Sequence, residues 1–402
     1  MSDLLQTANS TALSNPERIE LLDAIRGFAL LGILLMNLEV FTGPLIGAMT
    51  GIDSQLQGID RWADGFIYIF VQGKFWTLFA LLFGIGFAVM FESAKRQSSD
   101  FFSIYMRRLF TLLVIGLIHL LLIWEGDILF SYALAGFVLL WLLKSGTTSS
   151  LASIMIWYCS PLLLLAIWGY LTPTNTSTQA LVNELANETL IFGHSSYGEV
   201  IQWRLSQFVN DFLSILFQLP MTVAMFMLGV WLYRRNLVIP LNNPSLKSLC
   251  YAVLLWVSGL MLMLLSVWIA PEINPVNIDW QFAKINILNM LAGPLMCLGY
   301  FFGLRYLWSI DWAQRILQNF APLGKMALTN YLGQSIISTF IFYGYGLGYY
   351  QQLPRAWHIP FALALVAVQM LLSKWWLNRF TMGPIEFIWR WLTYGKRPKF
   401  VL

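Results

Sequence analysis

One short segment of the sequence holds three side chains that could move a proton. His119 is followed six and eight residues later by Glu125 and Asp127. Histidine titrates near neutral pH, so His119 could act as a general base or in a proton relay, with a carboxylate to orient its ring. A histidine in an apolar helix is also often only hydrogen-bonded to a neighbouring helix, and both interpretations stay open. We expect Gly126 to break the helix before Asp127.

A second set of polar side chains interrupts other apolar stretches at a similar depth. Asn37 lies eleven residues after Arg26, and His119 lies eleven after Arg108, which is about 16 Å along a helix in each case. Amide and charged groups are costly in lipid, so they are expected to face a cavity or a neighbouring helix. The side chains that we predict to bind a ligand are Asn37, Lys74, Asn289, Asn330 and Gln334. Hydrogen bonding between helices would explain the same pattern.

Lys74 needs a partner unless its amine reaches water at the membrane surface. The acidic residues that we expect to balance its charge are Glu39 and Glu125, and an anionic substrate would serve equally well.

The composition predicts that these side chains are positioned by membrane helices. Of 402 residues, 58% are apolar and only 11% are charged, whereas about a quarter of a soluble domain is charged. No basic run interleaved with aromatic residues suggests nucleic-acid binding. The three cysteines have no CxxC spacing, so neither a disulfide framework nor a metal site is expected. No basic segment directly precedes a short apolar stretch, so we expect the first apolar run to stay as a membrane anchor.

Apolar runs of about 20 residues are long enough to cross a bilayer as helices. The fold class that we predict is therefore an all-α polytopic membrane bundle of about ten helices. The predicted spans lie near 22–42, 66–91, 107–124, 128–144, 151–171, 212–233, 248–270, 282–307, 326–346 and 359–378. The resulting organisation is a polar cytoplasmic tail (1–18), an N-terminal five-span half (19–171), an extracytoplasmic loop (172–211), and a C-terminal five-span half with a cytoplasmic tail (212–402).

The distribution of basic residues predicts the orientation of the bundle. With ten spans and a cytoplasmic N-terminus, 19 of the 24 Lys and Arg residues fall on the cytoplasmic side. Cytoplasmic loops of membrane proteins carry such an excess, so both termini are predicted to be cytoplasmic. The charged group predicted at the cytoplasmic entrance consists of Asp23, Arg26, Arg107 and Arg108. An ion pair that fixes the helix end would also explain Asp23 and Arg26, which lie three residues apart.

Several segments, in order along nearly the whole chain, resemble the YeiB family of bacterial inner-membrane proteins. They are LDAIRGFALLGIL (22–34) with Asn37, GKF (73–75), LLFG (81–84), GLIH (116–119), WEGDIL (124–129), SYG (196–198), KMALTNY (325–331) with QS (334–335), GPIEFIWR (383–390) and LTYG (392–395). The resemblance implies a multi-pass protein of the bacterial cytoplasmic membrane. Much of the C-terminal half of this family is a domain of unknown function.

The opening LDAIRG (22–27) also resembles the start of membrane acyltransferases, which move acyl groups from a cytoplasmic thioester onto extracytoplasmic sugars. One such group has a histidine eleven residues after the arginine, where this chain has Asn37. Asparagine is no base at neutral pH, so that role does not transfer. A related group uses a histidine in the loop after the first span, and residues 43–65 contain none.

The resemblance leads to one hypothesis and one rival. An acyl-CoA-type co-substrate would enter near the basic cytoplasmic group, and His119, oriented by Glu125 or Asp127, would deprotonate an envelope glycan or lipid-linked acceptor. No covalently bound cofactor is expected, and the surrounding partners are membrane lipids. The rival is a transporter or binding protein for a small polar or lipid-linked solute, with His119 and the two carboxylates coupling it to protons.

Overall fold

The computed structural model describes residues 20–45, 51–97, 100–144, 150–171, 179–273 and 280–401, except for the side chains of 179–181. Throughout these ranges the chain is all-α. Eight helical segments of the described chain are long and apolar enough to cross a bilayer. The protein is therefore a multi-pass membrane protein built as a helical bundle. The predicted tail 1–18 lies outside the described residues.

The helices, numbered along the chain, are α1 (Glu20–Thr42), α2 (Gly58–Phe70), α3 (Lys74–Arg96), α4 (Phe101–Ile118), α5 (Leu129–Lys144), α6 (Leu151–Leu171), α7 (Gln179–His194), α8 (Tyr197–Arg234), α9 (Leu246–Ile269), α10 (Trp280–Leu307), α11 (Asp311–Gln318), α12 (Ala321–Lys325), α13 (Ala327–Phe342), α14 (His358–Leu377) and α15 (Pro384–Tyr394). A π-helical turn, His119–Ile123, extends α4, and a 3₁₀ turn, Arg355–Trp357, precedes α14.

Three of the ten predicted spans differ in form from the expected single long helix. The second is divided into α2 and α3 by a turn at residues 71–73, where Gly73 has a φ of 80°. The fourth and ninth are the helices α5 and α13, each of 16 residues. At 1.5 Å per residue such a helix is about 24 Å long, which is shorter than the hydrocarbon core of a bilayer.

The segment predicted as a polar extracytoplasmic loop, 172–211, is helical from residue 179 onward. It contains α7 and the first four turns of α8. A capping box begins α8, because Glu199 accepts hydrogen bonds from the backbone and the hydroxyl of Ser196 at 2.8 and 2.7 Å. With 38 residues, α8 is about 57 Å long and extends well beyond a 30 Å hydrocarbon layer. Its first turns therefore belong to a structured region beside the membrane.

Helix α1 lies at the centre of the bundle. It packs against α3, α12, α13 and α14, and Ala29, Leu30, Ile33, Leu34 and Leu38 are fully buried. A helix that is apolar on all sides is buried best by surrounding it with other helices. By contrast, α6 and α9 have mostly exposed apolar side chains, as expected of helices that face lipid.

The carboxylate of Glu386 joins the C-terminal helix α15 to the start of α13. It accepts hydrogen bonds from the backbone of Leu328 and Thr329, at 2.7 and 3.1 Å, and from the Thr329 hydroxyl at 2.5 Å. These amides belong to the first turn of α13, where backbone donors lack helical partners and a negative charge is favourable. This contact fixes the end of α13 that leads to the polar residues described below.

Glycines allow α3 and α8 to approach each other closely. A Cβ atom at Gly84 would collide with the backbone carbonyl of Phe226, and one at Gly229 would collide with the carbonyl of Leu81. Gly84 and Gly229 therefore serve close helix packing, as small residues commonly do between membrane helices. Gly303 in α10 is different, because nothing lies within 4 Å of the position that its Cβ would take.

We predict that Gly84→Ala destabilises the protein, since the added methyl group must separate two backbones, and overpacking of this kind costs about 1–3 kcal/mol. Gly303→Ala is the matched control and should be neutral or slightly stabilising, because alanine favours a helix by about 1 kcal/mol. Thermal unfolding of both variants in one detergent measures the effect. Equal melting temperatures for the two variants would contradict the packing described here.

Candidate functional site

The polypeptide after α4 is shaped by a π-helical turn that begins at His119. The amide of Trp124 donates to the carbonyl oxygen of His119 at 2.8 Å, and Trp124 itself is extended. Gly126 has no room for a side chain, because the indole of Trp124 lies over it. The other side of that indole packs on Phe41, with ring centres 4.3 Å apart. The helix therefore ends before Trp124, two residues earlier than the break expected at Gly126.

His119 and Asp127 form a buried pair within this segment. The Nδ1 atom of His119 lies 2.7 Å from Oδ1 of Asp127, and neither side chain is exposed. The second carboxylate oxygen of Asp127 accepts the amide of Phe130 at 2.6 Å, so the carboxylate also caps the start of α5. A carboxylate held in this way makes Nδ1 the donor and leaves the lone pair of the ring on Nε2.

The Nε2 atom of His119 is buried and has no hydrogen-bond partner among the described residues. The ring of Tyr331 lies 5.2 Å from the imidazole, and that of Trp124 lies 6.3 Å away, edge-on. The Tyr331 hydroxyl accepts from the amide of Ile128 at 3.3 Å and donates to the carbonyl of Gly126 at 3.5 Å. The unpaired nitrogen therefore belongs to an imidazole that is flanked by two aromatic rings.

Three other buried polar atoms near this segment are unpaired among the described residues, namely Nε1 of Trp124, Oε1 of Gln334 and Oγ of Ser338. Ser338 lies two turns after Tyr331 on the same face of α13. An unpaired buried polar group costs about 1–3 kcal/mol and is uncommon in native proteins. A set of such atoms, from α13 and from the segment that follows the π-helical turn, is what a bound polar ligand would contact.

Asn37 belongs to the same region of the bundle. It is buried and lies one helical turn before Phe41, whose ring packs on Trp124. Residues four apart share a helix face, so Asn37 lies on the side of α1 that faces the His119 segment. The structure thus brings His119 and Asp127 into contact and places Asn37 one turn from Phe41, which packs on the same segment.

Glu125 does not contact His119. It pairs instead with Arg204 of α8, through Nε at 2.9 Å, and accepts a hydrogen bond from the Tyr343 hydroxyl at 3.2 Å. Of the two carboxylates that were alternatives for orienting the histidine, the structure places Asp127 against the ring. Glu125 contributes to a second buried cluster, formed with α7, α8 and the residues that follow α13.

Glu188 of α7 is a buried member of this second cluster. Its Oε1 accepts the backbone amide of Leu45 at 2.9 Å. Burial raises the pKa of this carboxyl to about 7, the hydrogen bond from Leu45 opposes that rise, and the negative charges of Glu125, Glu184 and Asp211 add to it. Glu188 therefore changes its charge near neutral pH.

Lys74 and Asn289 contact each other in a separate polar cluster. The Lys74 ammonium donates to Oδ1 of Asn289 and to the carbonyl of Tyr68, both at 3.0 Å, and lies 3.3 Å from the sulfur of Met263. The carbonyl of Tyr68 belongs to the last turn of α2, where a cation is favourable. The carboxylates expected to balance Lys74 have other partners: Glu39 pairs with Arg355 at 3.5 Å, and Glu125 pairs with Arg204.

Asn330 and Gln334 join α13 to α14. Asn330 donates to Ser373 at 3.0 Å, Gln334 donates to Gln369 at 2.9 Å, and Gln369 donates to the backbone carbonyl of Asn330 at 2.9 Å. Hydrogen bonding between helices therefore accounts for Asn330. Gln334 uses its amide nitrogen in the same way but keeps its carbonyl oxygen unpaired.

The predicted entrance residues lie at the opposite end of α1 and α4. Arg26 pairs with Asp23 at 2.8 Å, and the Arg107 guanidinium donates to the carbonyl of Ser103 at 3.4 Å. The Arg108 guanidinium stacks 3.6 Å from the centre of the Trp389 ring, whose Nε1 donates to the Arg108 carbonyl at 3.0 Å. Among the described residues, neither Arg107 nor Arg108 has a carboxylate partner.

Several residues of these clusters were not predicted as site residues, notably Tyr331, Arg204, Tyr343, Glu188 and Trp389. Tyr331 and Trp389 lie in segments that resemble the YeiB family, so they could have been selected on that ground. Arg204 and Glu188 lie in a polar segment where charged residues are ordinary, and their burial depends on contacts distant in sequence.

The chain is similar over nearly its full length to several bacterial proteins. It is 32% identical over 400 residues to the uncharacterized protein YxaH of Bacillus subtilis, covering 94% of each chain. It is 30% identical over 396 residues to the uncharacterized protein YeiB of Escherichia coli, covering 94% of this chain and 96% of that one. The chain belongs to the YeiB family. An uncharacterized 39.9 kDa protein of Bacillus acidopullulyticus is 26% identical over 390 residues, covering 95% of each chain.

Residues 232–396 match a family model described as a protein of unknown function, DUF418. This region runs from the end of α8 to α15, so it includes Tyr331, Gln334 and Ser338 but neither His119 nor Asp127. The similarity to YxaH and YeiB covers 94% of the chain. Membership of the YeiB family therefore concerns the whole bundle and not only its C-terminal half.

We predict that Asp127→Asn changes the tautomer of His119, because the carboxylate that holds the proton on Nδ1 is lost. In the unaltered protein, ¹⁵N NMR of labelled histidines should show one ring with a protonated Nδ1 and a basic Nε2, and this signal should be missing from His119→Gln. His194, which is exposed, should keep its signal in both variants. A protonated Nε2 on His119 of the unaltered protein would refute the assignment.

The raised pKa of Glu188 predicts a dependence of stability on pH. Its folded-state value of about 7 exceeds the ordinary value of 4.5, so the folded protein binds the proton more tightly than the unfolded chain does. The contribution of Glu188 to stability is therefore greatest below pH 4.5 and falls as the pH rises toward 7. We predict that Glu188→Gln, which keeps an oxygen for the Leu45 amide, raises the melting temperature at pH 7 and flattens its decline between pH 4.5 and 7.

The matched control for this measurement is Glu184→Gln on the exposed side of the same helix. It should keep the decline of the melting temperature between pH 4.5 and 7, displaced only slightly to lower pH, because the charge of Glu184 is one of the causes of the raised pKa of Glu188. The same slope in Glu188→Gln as in the unaltered protein would show that Glu188 does not titrate near neutral pH.

Proposed function

We propose that the protein is a membrane-embedded acyltransferase in which His119 is the general base and Asp127 orients it. The observation that carries the proposal is the buried, unpaired Nε2 of His119, with Nδ1 held by a carboxylate at 2.7 Å. A base whose ring is fixed by an acidic partner is the arrangement that activates hydroxyl groups as nucleophiles. His358 is a second buried histidine with a ring nitrogen unpaired in the described part of the chain, but its other nitrogen meets only the Thr42 hydroxyl, at 3.1 Å, so the carboxylate partner is what distinguishes His119.

The proposed reaction transfers an acyl group from a thioester to a hydroxyl group. Nε2 of His119 removes the proton as the acceptor oxygen attacks the thioester carbonyl carbon. The C–S bond then breaks, and the thiolate takes the proton back from the imidazolium. The products are an ester and a free thiol, and His119 returns to its neutral form.

The oxyanion that develops on the carbonyl oxygen requires hydrogen-bond donors that are already in place. The unpaired Nε1–H of Trp124 is the donor nearest in sequence to the pair, and the amide of Asn37 would be the second. Trp124 is fixed by Phe41 on one side and Gly126 on the other, so it would need little reorganisation. Gln334 and Ser338 would contact the acceptor.

The donor would approach from the end of α4 that carries Arg107 and Arg108. Arg108 and His119 are eleven residues apart, about 16 Å along the helix. An acyl-CoA has phosphate groups at one end and the reactive carbonyl at the end of a long, narrow arm. Guanidinium groups without carboxylate partners suit those phosphates, so Arg107 and Arg108 would hold the donor while its carbonyl reaches His119.

The rival proposal is a transporter for a small polar solute. Its support is the complete burial of His119 and of the Asp127 carboxylate, since a closed site of titratable groups inside a bundle also suits a proton-coupled carrier. The two proposals differ in whether a covalent product forms.

The test uses the full chain in proteoliposomes with radiolabelled acetyl-CoA as donor and a bacterial envelope extract as acceptor. We predict transfer of label that falls roughly 100-fold or more in His119→Ala, the loss typical of a general base, and falls less in Asp127→Asn. The exposed His194→Ala should keep full activity. Undiminished transfer in His119→Ala would remove His119 from the mechanism. Uptake of an unmodified solute without any donor would instead support the transporter.

A further inference from the structure

The second buried cluster contains an arginine that uses only one of its five N–H donors within the described structure. Only 1% of the Arg204 residue is exposed, and its Nε donates to Glu125 at 2.9 Å. Both terminal nitrogens, Nη1 and Nη2, are buried without a hydrogen-bond partner among the described residues. A guanidinium carries five N–H donors, so four of them are directed into a space without protein acceptors. Leaving charged donors unpaired is more costly than leaving neutral ones unpaired.

Aromatic side chains from three parts of the chain surround this guanidinium. Its centre lies 5.9 Å from the Phe192 ring and 5.8 Å from the Tyr343 ring. Tyr350 extends the wall, with its ring centre 5.9 Å from that of Tyr343, and its buried hydroxyl is also unpaired in the described structure. The cluster therefore offers flat apolar faces together with unused polar donors, which is the composition of a small-molecule site.

The charges around Arg204 restrict which ligand could bind. Glu125 pairs with Arg204, and Glu188 and Asp211 lie close enough to Glu125 for their charges to interact. With more acidic than basic side chains, an anionic ligand would be repelled. A cationic ligand would be repelled by the free guanidinium nitrogens that it would have to contact. A neutral ligand that both accepts and donates hydrogen bonds satisfies all of these groups.

Hydroxyl groups have this property, since each donates one hydrogen bond and accepts two. We propose that Arg204, Glu125, Tyr343 and Tyr350 form a subsite for a neutral polyhydroxylated group, of the sugar or polyol class. Neighbouring hydroxyls accept from the two terminal nitrogens of Arg204 and donate to the carboxylates, while the C–H face of the ligand packs on Phe192 and Tyr343.

This subsite is physically connected to the proposed base. Glu125 and Asp127 are two residues apart in one segment, at most about 7 Å along the chain. A polyol held by Arg204 and Glu125 is therefore bound beside the segment whose Asp127 orients His119, and the proposal places a further hydroxyl of that polyol at Nε2. The inference rests on the proposed function for its catalytic meaning, since it names the class of acceptor, but the binding of a polyol is independent of any reaction.

The experiment measures binding to the full chain in nanodiscs by saturation-transfer NMR, with methyl glucoside as the neutral probe. Methyl glucuronide and glucosamine are the anionic and cationic probes of nearly the same shape. A monoglucosyl diacylglycerol in the nanodisc, used as a competitor, separates a lipid-linked sugar from a free one. We expect the neutral sugar to bind at least about tenfold more tightly than either charged probe. Tighter binding of the glucuronide, or no binding of either neutral sugar, overturns the proposal.

Substitutions within the subsite test whether the sugar binds there. Arg204→Lys keeps the charge but loses the planar fork, so we expect at least a tenfold loss of affinity. Tyr350→Phe removes only a hydroxyl, so a severalfold loss in that variant tests the subsite even if Arg204→Lys does not fold. Arg61→Lys, in an exposed pair with Glu272, is the matched control and should bind as the unaltered protein does. Unchanged affinity in Arg204→Lys and Tyr350→Phe would place the sugar elsewhere.

His119→Ala separates this inference from the proposed function. Binding that persists in this variant while transfer is lost supports both proposals. Binding to the unaltered protein with no transfer from acetyl-CoA leaves the polyol subsite standing and removes the acyltransferase. If Arg204→Lys still transfers the acyl group with an unchanged KM for the sugar, the polyol subsite is refuted and the role of His119 as base is retained.

Discussion

The hydrogen bonds of Asp127 hold together the end of one helix, the beginning of the next and the ring of His119. A carboxylate buried in an apolar bundle must receive donors on both oxygens, because the cost of desolvating its charge is otherwise prohibitive. One oxygen of Asp127 accepts a backbone amide of α5 and the other faces Nδ1 of His119. The same bonds that make the carboxylate tolerable therefore fix where α5 starts and how the imidazole is oriented.

The rest of the bundle maintains this geometry by close packing around α1. Gly27 and Gly324 let α1 and α12 approach until backbone meets backbone, and α12 leads directly into α13, whose start is capped by Glu386. Tyr331 on α13 then reaches the carbonyl of Gly126. A displacement of α13 would therefore be transmitted to the segment that carries Asp127, because each link in this series is a packed or hydrogen-bonded contact.

Hydropathy identified most of the membrane helices because a run of apolar residues is a local property of the sequence. It missed the division between α2 and α3, because the three turn residues, 71–73, interrupt the apolar run too briefly to divide it in a hydropathy reading. Only the positive φ of Gly73 and the contact of Lys74 with the Tyr68 carbonyl reveal the turn. The asymmetric distribution of basic residues predicts that both termini are cytoplasmic, and this orientation stays a prediction.

In the candidate site, too, contacts between residues close in sequence were predictable, and contacts between residues far apart in sequence were not. His119, Glu125 and Asp127 lie within nine residues, so residue type and proximity were enough to select them as candidates, but not to decide which carboxylate contacts the ring. The partners of the other carboxylates were not accessible to that reasoning: Glu125 meets Arg204 from 79 residues away, and Glu39 meets Arg355 from the far end of the chain. A polar side chain in an apolar span predicts that a partner exists. Which residue that partner is depends on how the helices pack.

Two carboxylates two residues apart thus serve different clusters, and this separation is favourable electrostatically. If both faced His119, their mutual repulsion would raise the cost of ionising either one. Pairing Glu125 with the guanidinium of Arg204 leaves Asp127 as the acidic partner of His119, which suits a base that must be held in one tautomer. The segment 124–127 therefore connects a cluster that can accept a proton with one that can bind a neutral ligand, while keeping their charges apart.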